Sequence, residues 1–517
     1  MIRFSVLLFV ALFSMHMSAQ VLPEGVEIKL GTEFSTSGKK VVKRIVTQVE
    51  GKTLIYTREN NELEFLLFDE ELAIIHSNKV VLASGKKQLS FVRVVETESG
   101  IYVFSTLHDN FLNREVLYYQ EINTVTLTVS SAKILHSKGY NSQAGAISFF
   151  IEVSPNKKFL MVDVTSIKSN SSDDIGLESF DILVFNKKFD RVWREDGISL
   201  TDDEERIFRD KRRVTNQGKV TLMSLQITGD LEDIETADDI LSMFDYYLVV
   251  LSEGKEHVVY ELNLESGYFA DLNYEIGPDG KVYVLAVSYD KEEEERAWYF
   301  TVLDIDSGVF VVESKSDFVE TTGVLFDTGD PDDEVIKLLS TSPYVTAGTE
   351  LNANISIGRI YVDSYGVTVT FESSASGTGY YQKYKSLVGI GVAKFSLEGE
   401  QLWSQGVQKI QFPIASVANY TSCGVLYSSG SVSYVFNFTP MNKTNGNINE
   451  FAWSSNKPAD LYMSTIDKSG DVRTNLLLKG GKKPYWMPAL AIESETKELI
   501  LVGFYGKNNK LAKLSVK

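Results

Sequence analysis

Asp279-Gly280-Lys281-Val282-Tyr283-Val284-Leu285 decides the fold, because its plan, a polar or glycine turn feeding a short apolar strand, returns along the whole chain. It recurs at Gly51–Tyr56, Ser99–Phe104, Asn156–Val162, Gly218–Met223, Ser364–Val369, Ser422–Tyr427 and Thr496–Val502. The eight starts lie about 64 residues apart on average, which is the spacing of a repeat architecture and not of unrelated domains. Within a unit a second hairpin follows, as in Phe180–Trp193 and Gly391–Trp403. Each unit therefore reads as four short antiparallel strands.

A lone four-stranded sheet with two apolar faces cannot bury both, whereas units stacked radially bury each face against a neighbour. The expectation is an all-β chain forming one β-propeller of four-stranded antiparallel blades, eight by count, with seven the alternative given the long interval between 279 and 364. A string of β-sandwiches would need Pro/Gly/Ser linkers, and the 10 prolines form none. The last unit, Pro488–Lys517, supplies three strands, while Val26–Gly31 precedes the first unit without partners there. That N-terminal strand is expected to complete the eighth blade and so remove an exposed sheet edge. Two stretches interrupt the pattern: Leu200–Arg209, with a Thr201-x-x-Glu204 capping box, and the acidic turn from Asp327 into Val335–Leu339. Both read as short surface helices.

The N-terminus carries Arg3, an apolar run from Ser5 to Phe13 and Met17-Ser18-Ala19-Gln20, the layout of a secretory signal peptide cleaved after Ala19. Residues 1–19 are then a signal peptide and 20–517 the propeller domain, in a periplasm or outside the cell. The apolar run is shorter than the ~20 residues a spanning helix needs, so no direct membrane insertion is expected. Loss of Arg3 moves the formal charge from −19 to about −20, which disfavours nucleic acid and favours cationic or protein partners.

Catalytic signatures are scarce. The four histidines beyond the signal peptide, His76, His108, His136 and His257, show no zinc-site spacing. No Gly-x-Ser-x-Gly occurs, and Gly389-Ile390-Gly391 lacks the third glycine of a dinucleotide loop. The single cysteine, Cys423, permits no internal disulfide and reads as a small packed thiol. The acids Asp327, Asp330, Asp332, Asp333 and Glu334 lack calcium-loop spacing and suit a helix N-terminus better. Neither a metal nor a cofactor is expected. The best candidates for a binding surface are Lys482, Lys483, Tyr485 and Trp486, in the Gly480–Trp486 loop that opens the last blade, with Trp453 as a second. Aromatics beside lysines could stack on sugar or anchor a protein; the alternative for each indole is packing between blades.

The apolar strands, glycine turns, Val192-Trp193-Arg194 and Leu402-Trp403-Ser404 near the fourth strands resemble quinoprotein-type propeller repeats, over most of the chain at the level of pattern. Dehydrogenases of that family hold their cofactor against a disulfide of adjacent cysteines, which this chain lacks, so the resemblance implies the fold without the cofactor. It also includes a noncatalytic eight-bladed scaffold of outer-membrane barrel assembly. The composition, rich in Lys, Asn, Ser and Tyr, resembles exported proteins of Bacteroidetes-type bacteria. Together these features point to a noncatalytic envelope propeller that binds a protein partner, as scaffold or adaptor of an outer-membrane secretion or assembly complex. The alternative is a secreted glycan-binding or glycan-hydrolysing propeller with converging carboxylates beside an exposed Trp.

Overall fold

A computed structural model describes residue 22 and residues 25–516, leaving aside 36–41, 50, 60–61, 141–143, 169–178, 199–206, 228–243, 265–266, 291–294, 319–351, 379–382, 412–422, 439–459, 480–484, 489–490, 494–496 and 506–507. Eight antiparallel sheets follow one another along the chain. Blade 1 holds Val42–Val49, Lys52–Glu59, Glu62–Phe68 and Ile74–Val81; blade 2 holds Ser90–Thr97, Gly100–Asp109, Arg114–Ile122 and Lys133–Gly139. Blade 3 holds Ala144–Val153, Phe159–Lys168, Ser179–Asn186 and Arg191–Ile198; blade 4 holds Ile207–Val214, Val220–Ile227, Phe244–Leu251 and Val258–Leu262. Blade 5 holds Tyr268–Ile276, Val282–Asp290, Glu295–Asp304 and Val309–Asp317; blade 6 holds Asn352–Asp363, Gly366–Thr378, Lys383–Phe395 and Gln401–Gln411. Blade 7 holds Gly424–Ser428, Ser431–Phe438, Asp460–Ile466 and Val472–Leu478. Blade 8 is made of the interrupted first strand Tyr485–Trp486 and Ile492–Glu493, then Glu498–Tyr505 and Asn508–Val516, with Val26–Ser35 outermost.

The N-terminal strand thus closes the ring, running antiparallel to the last strand from Val26 opposite Val516 to Ser35 opposite Asn508. Closure is visible in the packing. Eight clusters of buried apolar side chains occur, one at each interface between neighbouring blades, including Phe34, Phe68, Leu72 and Val502 where blade 8 meets blade 1. The molecule is an eight-bladed β-propeller.

Because each blade is covered on both faces, its central strands read as near-continuous apolar runs. Val282–Val287 is buried without a break, whereas the outermost Val309–Asp317 alternates exposed and half-buried positions. The turn chemistry behind the repeat is also regular. Thr215–Lys219, Gly277–Lys281, Ser396–Glu400 and Asp467–Asp471 each close with a backbone hydrogen bond at both ends, with Gly218, Gly280, Gly399 and Gly470 in the left-handed region. That conformation completes the short hairpin, and glycine adopts it without a Cβ clash.

In blade 7 the sequence reading is one strand early. Gly424–Tyr427 lies on the first strand, with Cys423 just before it, and the second follows the tight turn at Ser429-Gly430, where both residues have positive φ. Of the two stretches read as short helices, 327–339 and residues 200–206 lie outside the described residues, while Ile207–Arg209, at the end of the first, begins the first strand of blade 4 and is not helical; among the described residues there is no α-helix.

Successive blades are also latched near the outer edge by the hairpin between third and fourth strands. The indole N–H of Trp403, on the fourth strand of blade 6, donates to Lys468 O in that hairpin of blade 7 at 3.0 Å. His76 of blade 1 contacts Thr126 O of blade 2 at 3.1 Å, and Ser314 of blade 5 donates to Gly399 O of blade 6 at 2.7 Å. Trp193 of blade 3 reaches instead to Gly218 O of blade 4, in the hairpin between its first two strands, at 2.9 Å. Both tryptophans that carry the quinoprotein-like resemblance therefore serve as fasteners between blades.

Candidate functional site

First strands of neighbouring blades touch one another, as between blades 1 and 2, 2 and 3, 3 and 4, 5 and 6, and 7 and 8, and line the axis. In blades 1 to 6 each of them carries a register shift against its second strand, for example between Phe91 and Arg93, Arg209 and Arg212, Phe269 and Asp271, and Ile357 and Ile360. A bulge re-aims side chains out of the regular alternation. Here it brings polar and charged groups to the axial wall, each within reach of the next blade.

Arg93 of blade 2 donates to Ile151 O at 2.5 Å and pairs with Glu152 of blade 3 at 3.2 Å. Lys211 of blade 4 bonds Leu272 O of blade 5, and Arg213 faces Glu275 at 3.8 Å. Asp271 accepts from Ile357 N of blade 6 at 2.5 Å, while Asn273 donates to Gly358 O at 2.5 Å. Arg359 of blade 6 passes over blade 7 to reach Glu493 of blade 8 at 3.7 Å. The wall is a belt of alternating sign whose members join blades, neighbouring ones in every pair named except Arg359 with Glu493.

Its richest corner spans blades 6 to 8. Tyr361 and Tyr427 stack with centroids 4.3 Å apart, and Tyr427 Oη donates to Asp363 at 2.7 Å. Burial pushes the Tyr361 phenol up to about 12 and raises Tyr427 as well, the Asp363 bond adding to it. Burial also raises the carboxyl of Glu493 against the opposing pull of Lys497 and Arg359. Burial raises Glu275 in the same way, against Arg213. The Cys423 thiol is half-buried and donates to Glu372 at 3.1 Å, so it is tied to a carboxylate as well as packed. Each raised carboxylate sits against a cation, an arrangement suited to joining blades. Among the described residues no group of three or more metal-ligating side chains forms.

A second polar cluster lies between blades 2 and 3. Asp181 is fully buried; it accepts from Lys138 at 2.6 Å and from Gly197 N at 3.0 Å, with Arg194 at 4.0 Å. Beside it His136 is 8% exposed, and its Nε2 meets no hydrogen-bond partner among the described residues. Burial lowers the imidazole to about 4, helped by Arg194 and Lys138 and opposed by Asp181 and Asp196. A depressed histidine contributes stability that is complete above its unfolded value of ~6.5 and declines as pH falls toward the folded value. The denaturant midpoint of the wild type should therefore drop more between pH 7 and pH 4.5 than that of His136→Leu. Parallel slopes for the two proteins would show that His136 does not carry the acid lability.

The sequence-derived candidates are placed as follows. Lys482, Lys483 and Trp453 lie outside the described residues, and Tyr485 is placed on the first strand of blade 8. Trp486 is 6% exposed and packs in the core between blades 7 and 8, where its carbonyl accepts from Asn437 at 2.8 Å. This corrects the reading of its indole as a surface anchor: the strand pairing of Trp486 with Gly503 draws the ring into the interface. What sequence reasoning passed over is the hairpin tip joining the second and third strands of blade 2. There Phe111 is 91% exposed and Leu112 50%. The signal was present, as two apolar residues inside the polar turn Asp109–Arg114.

No protein-family model matches the chain, and no curated protein matches it. Among solved structures it is similar to the Dos1 propeller at 9% identity and a TM-score of 0.39, covering 95% of this chain and 97% of that one. The β-propeller domain of the Trilobed protease from Pyrococcus furiosus aligns at 7% identity and a TM-score of 0.33, covering 84% and 98%. Two prolyl endopeptidases are represented by a match at 10% identity and a TM-score of 0.36, covering 90% of this chain; the chain spans 54% of that structure's length.

Proposed function

We propose that this protein is a noncatalytic β-propeller of the cell envelope that holds a protein partner, as a scaffold or adaptor in outer-membrane secretion or assembly. The observation that carries this reading is the difference between the two ends of the propeller. At one end the described turns between first and second and between third and fourth strands are mostly short and closed by their own hydrogen bonds. The connections between second and third strands, and from blade to blade, run from the other end, and among them are the long segments 228–243, 319–351 and 439–459. Segments of that length on a rigid scaffold are where binding residues concentrate. The axial wall supports the same reading, because the charges named above are paired with residues of other blades. Of the described tryptophans, Trp193, Trp298 and Trp486 are buried, and the half-buried Trp403 has its indole N–H committed to blade 7, which weighs against the glycan alternative among the described residues.

The test is affinity purification of the tagged mature protein from envelope extracts of its own host. A stoichiometric envelope protein is the expected result, eluting as salt is raised if cationic surface faces the acidic chain. Recovery of the protein alone at every salt concentration would overturn the adaptor reading and direct the search to glycans.

A further inference from the structure

We infer that the blade 2 tip at Phe111 and Leu112 is an anchor for a partner protein that offers an apolar pocket rimmed by carboxylates. The inference rests on the adaptor reading and adds to it a place and a chemistry.

The tip is built to project. Asp109 Oδ1 accepts from Phe111 N at 3.1 Å and from Leu112 N at 3.3 Å, and Asn113 takes a positive φ to return the chain into the third strand. These bonds satisfy the turn from within. The phenyl ring is left with 91% of its surface in water, more than any other large apolar side chain among the described residues. A ring exposed to that degree gains nothing from burial within this chain, and a partner's apolar pocket would supply that burial. The tip also lies at the end of the propeller from which the long connections run.

The surroundings define the occupant. Lys87 approaches Asp109 at 4.0 Å from the small hairpin Ala83–Gln88 that joins blades 1 and 2, and Lys86 is exposed beside it. Against desolvation, the backbone bond from Leu112 holds the Asp109 carboxyl below its ordinary range, with Lys87, the Phe111 bond and Arg114 adding to it. The acids here are largely covered: the Asp109 side chain is 17% exposed and that of Glu115 12%, against 60% for Lys87. Glu115 accepts from Tyr140 Oη at 3.2 Å and also faces His108. A chain of net charge −19 thus presents at this tip an apolar pair with exposed cations at its side. Complementarity then calls for apolar surface at the centre and carboxylates at the rim.

Magnitudes favour a protein pocket over a lipid surface. One phenyl, one leucine and two lysines amount to less than the two signals that stable membrane anchoring takes. A single aromatic seated in a pocket is, by contrast, enough for a hot spot.

The experiment places a photoactivatable benzoylphenylalanine at position 111 in the full-length protein, expressed in its own host, with the same residue at Val125 as control. Val125 is 77% exposed at the opposite end of blade 2. The inference predicts one discrete protein adduct from position 111 and none from 125. It also predicts that the cross-linked peptide of the partner lies among carboxylates and apolar residues. Lys86→Glu with Lys87→Glu should lower the adduct yield at least fivefold, and Phe111→Ser should lower recovery of the same protein by affinity purification to a similar degree. Adducts with lipid, adducts with a second copy of this chain, or a yield indifferent to the lysine reversals would each overturn it. If affinity purification yields a stoichiometric partner while position 111 stays silent, the anchor fails and the adaptor reading stands. If both come back empty, the adaptor reading has failed with it.

Discussion

Gly31→Val should destabilise the propeller by about 1–3 kcal/mol, the cost of forcing extra side-chain volume into a packed site, and open the ring at its seam. Gly31 sits where the N-terminal strand shifts register between Leu30 and Glu33, against the outer hairpin of blade 1. A Cβ there would stand 2.5 Å from Leu72 Cβ and 2.6 Å from Leu72 O, and the second of these is backbone that cannot rotate away. Leu72 is itself pinned, with φ at 57° and its N–H bonded to Asp69 O at 3.0 Å. Thr32 N also reaches Leu72 O at 3.3 Å, so the clash falls on a bond that joins blade 8 to blade 1. Lys29 with Glu71 at 2.9 Å and Phe34 edge-on to Phe68 at 4.9 Å would have to shift in the same movement. Gly139→Val is the control, since a Cβ at that glycine meets nothing within 4 Å. Hydrogen exchange should show amide protection falling across Val26–Ser35 and the paired Asn508–Val516 before the rest of the ring in the Gly31 variant alone. An unchanged denaturant midpoint with full protection of both strands would show that the seam tolerates the added volume.

That seam was legible in the sequence, and the reason is physical. A strand such as Val26–Gly31, with apolar residues and no local partner, has to pair somewhere, and a last unit of three strands leaves one place for it. The blade count was legible for the same reason, because glycines needed in the left-handed region, such as Gly218 and Gly280, punctuate the chain at fixed points of the hairpin. Blade 7 was misread by one strand where Ser429, with positive φ, precedes Gly430 in a turn that does not share that plan. The axial belt was not legible at all. Arg93 and Glu152, or Arg359 and Glu493, are brought together by bulges and by ring closure, and neither leaves a spacing in the sequence. Trp486 shows the converse. Its neighbours Lys482, Lys483 and Pro484 look like a surface loop, yet the indole belongs to the strand that follows and is carried into the core with it. Phe111 was passed over because a single exposed ring has no periodicity to announce it.

Asp163→Leu is expected to cost about 3–5 kcal/mol, the range for removing one partner of a buried ion pair, and the size of the loss follows from what remains behind. Asp163 and Asp181 are both fully buried on adjacent strands of blade 3, and the register sets Asp163 opposite Ile182 and Val164 opposite Asp181. They therefore point to opposite faces of the blade. Asp181 meets Lys138 of blade 2, and Asp163 meets Arg212 of blade 4 at 2.7 Å. Each interface of blade 3 thus holds one fully buried carboxylate paired with a cation of the neighbouring blade, among the more exposed pairs such as Arg93 with Glu152. The Arg212 side chain is 16% exposed and its guanidinium lies 4.9 Å from the Phe150 ring centre. Without the Asp163 carboxylate it keeps its stem packing and its place over the ring, and loses the counter-charge that offset its desolvation. The double variant Asp163→Leu with Arg212→Met removes the stranded cation and fills the same volume with apolar atoms, so it should regain most of the single variant's loss. Equilibrium denaturation of the two single variants and the double variant measures the coupling. A double variant no more stable than Asp163→Leu would mean that the carboxylate acts through its own blade, where Thr165 Oγ1 donates to it at 3.3 Å, and not through the pair. Recovery would establish that the seam between blades 3 and 4 needs its shape more than its charges, with the loss in Asp163→Leu arising from the stranded cation.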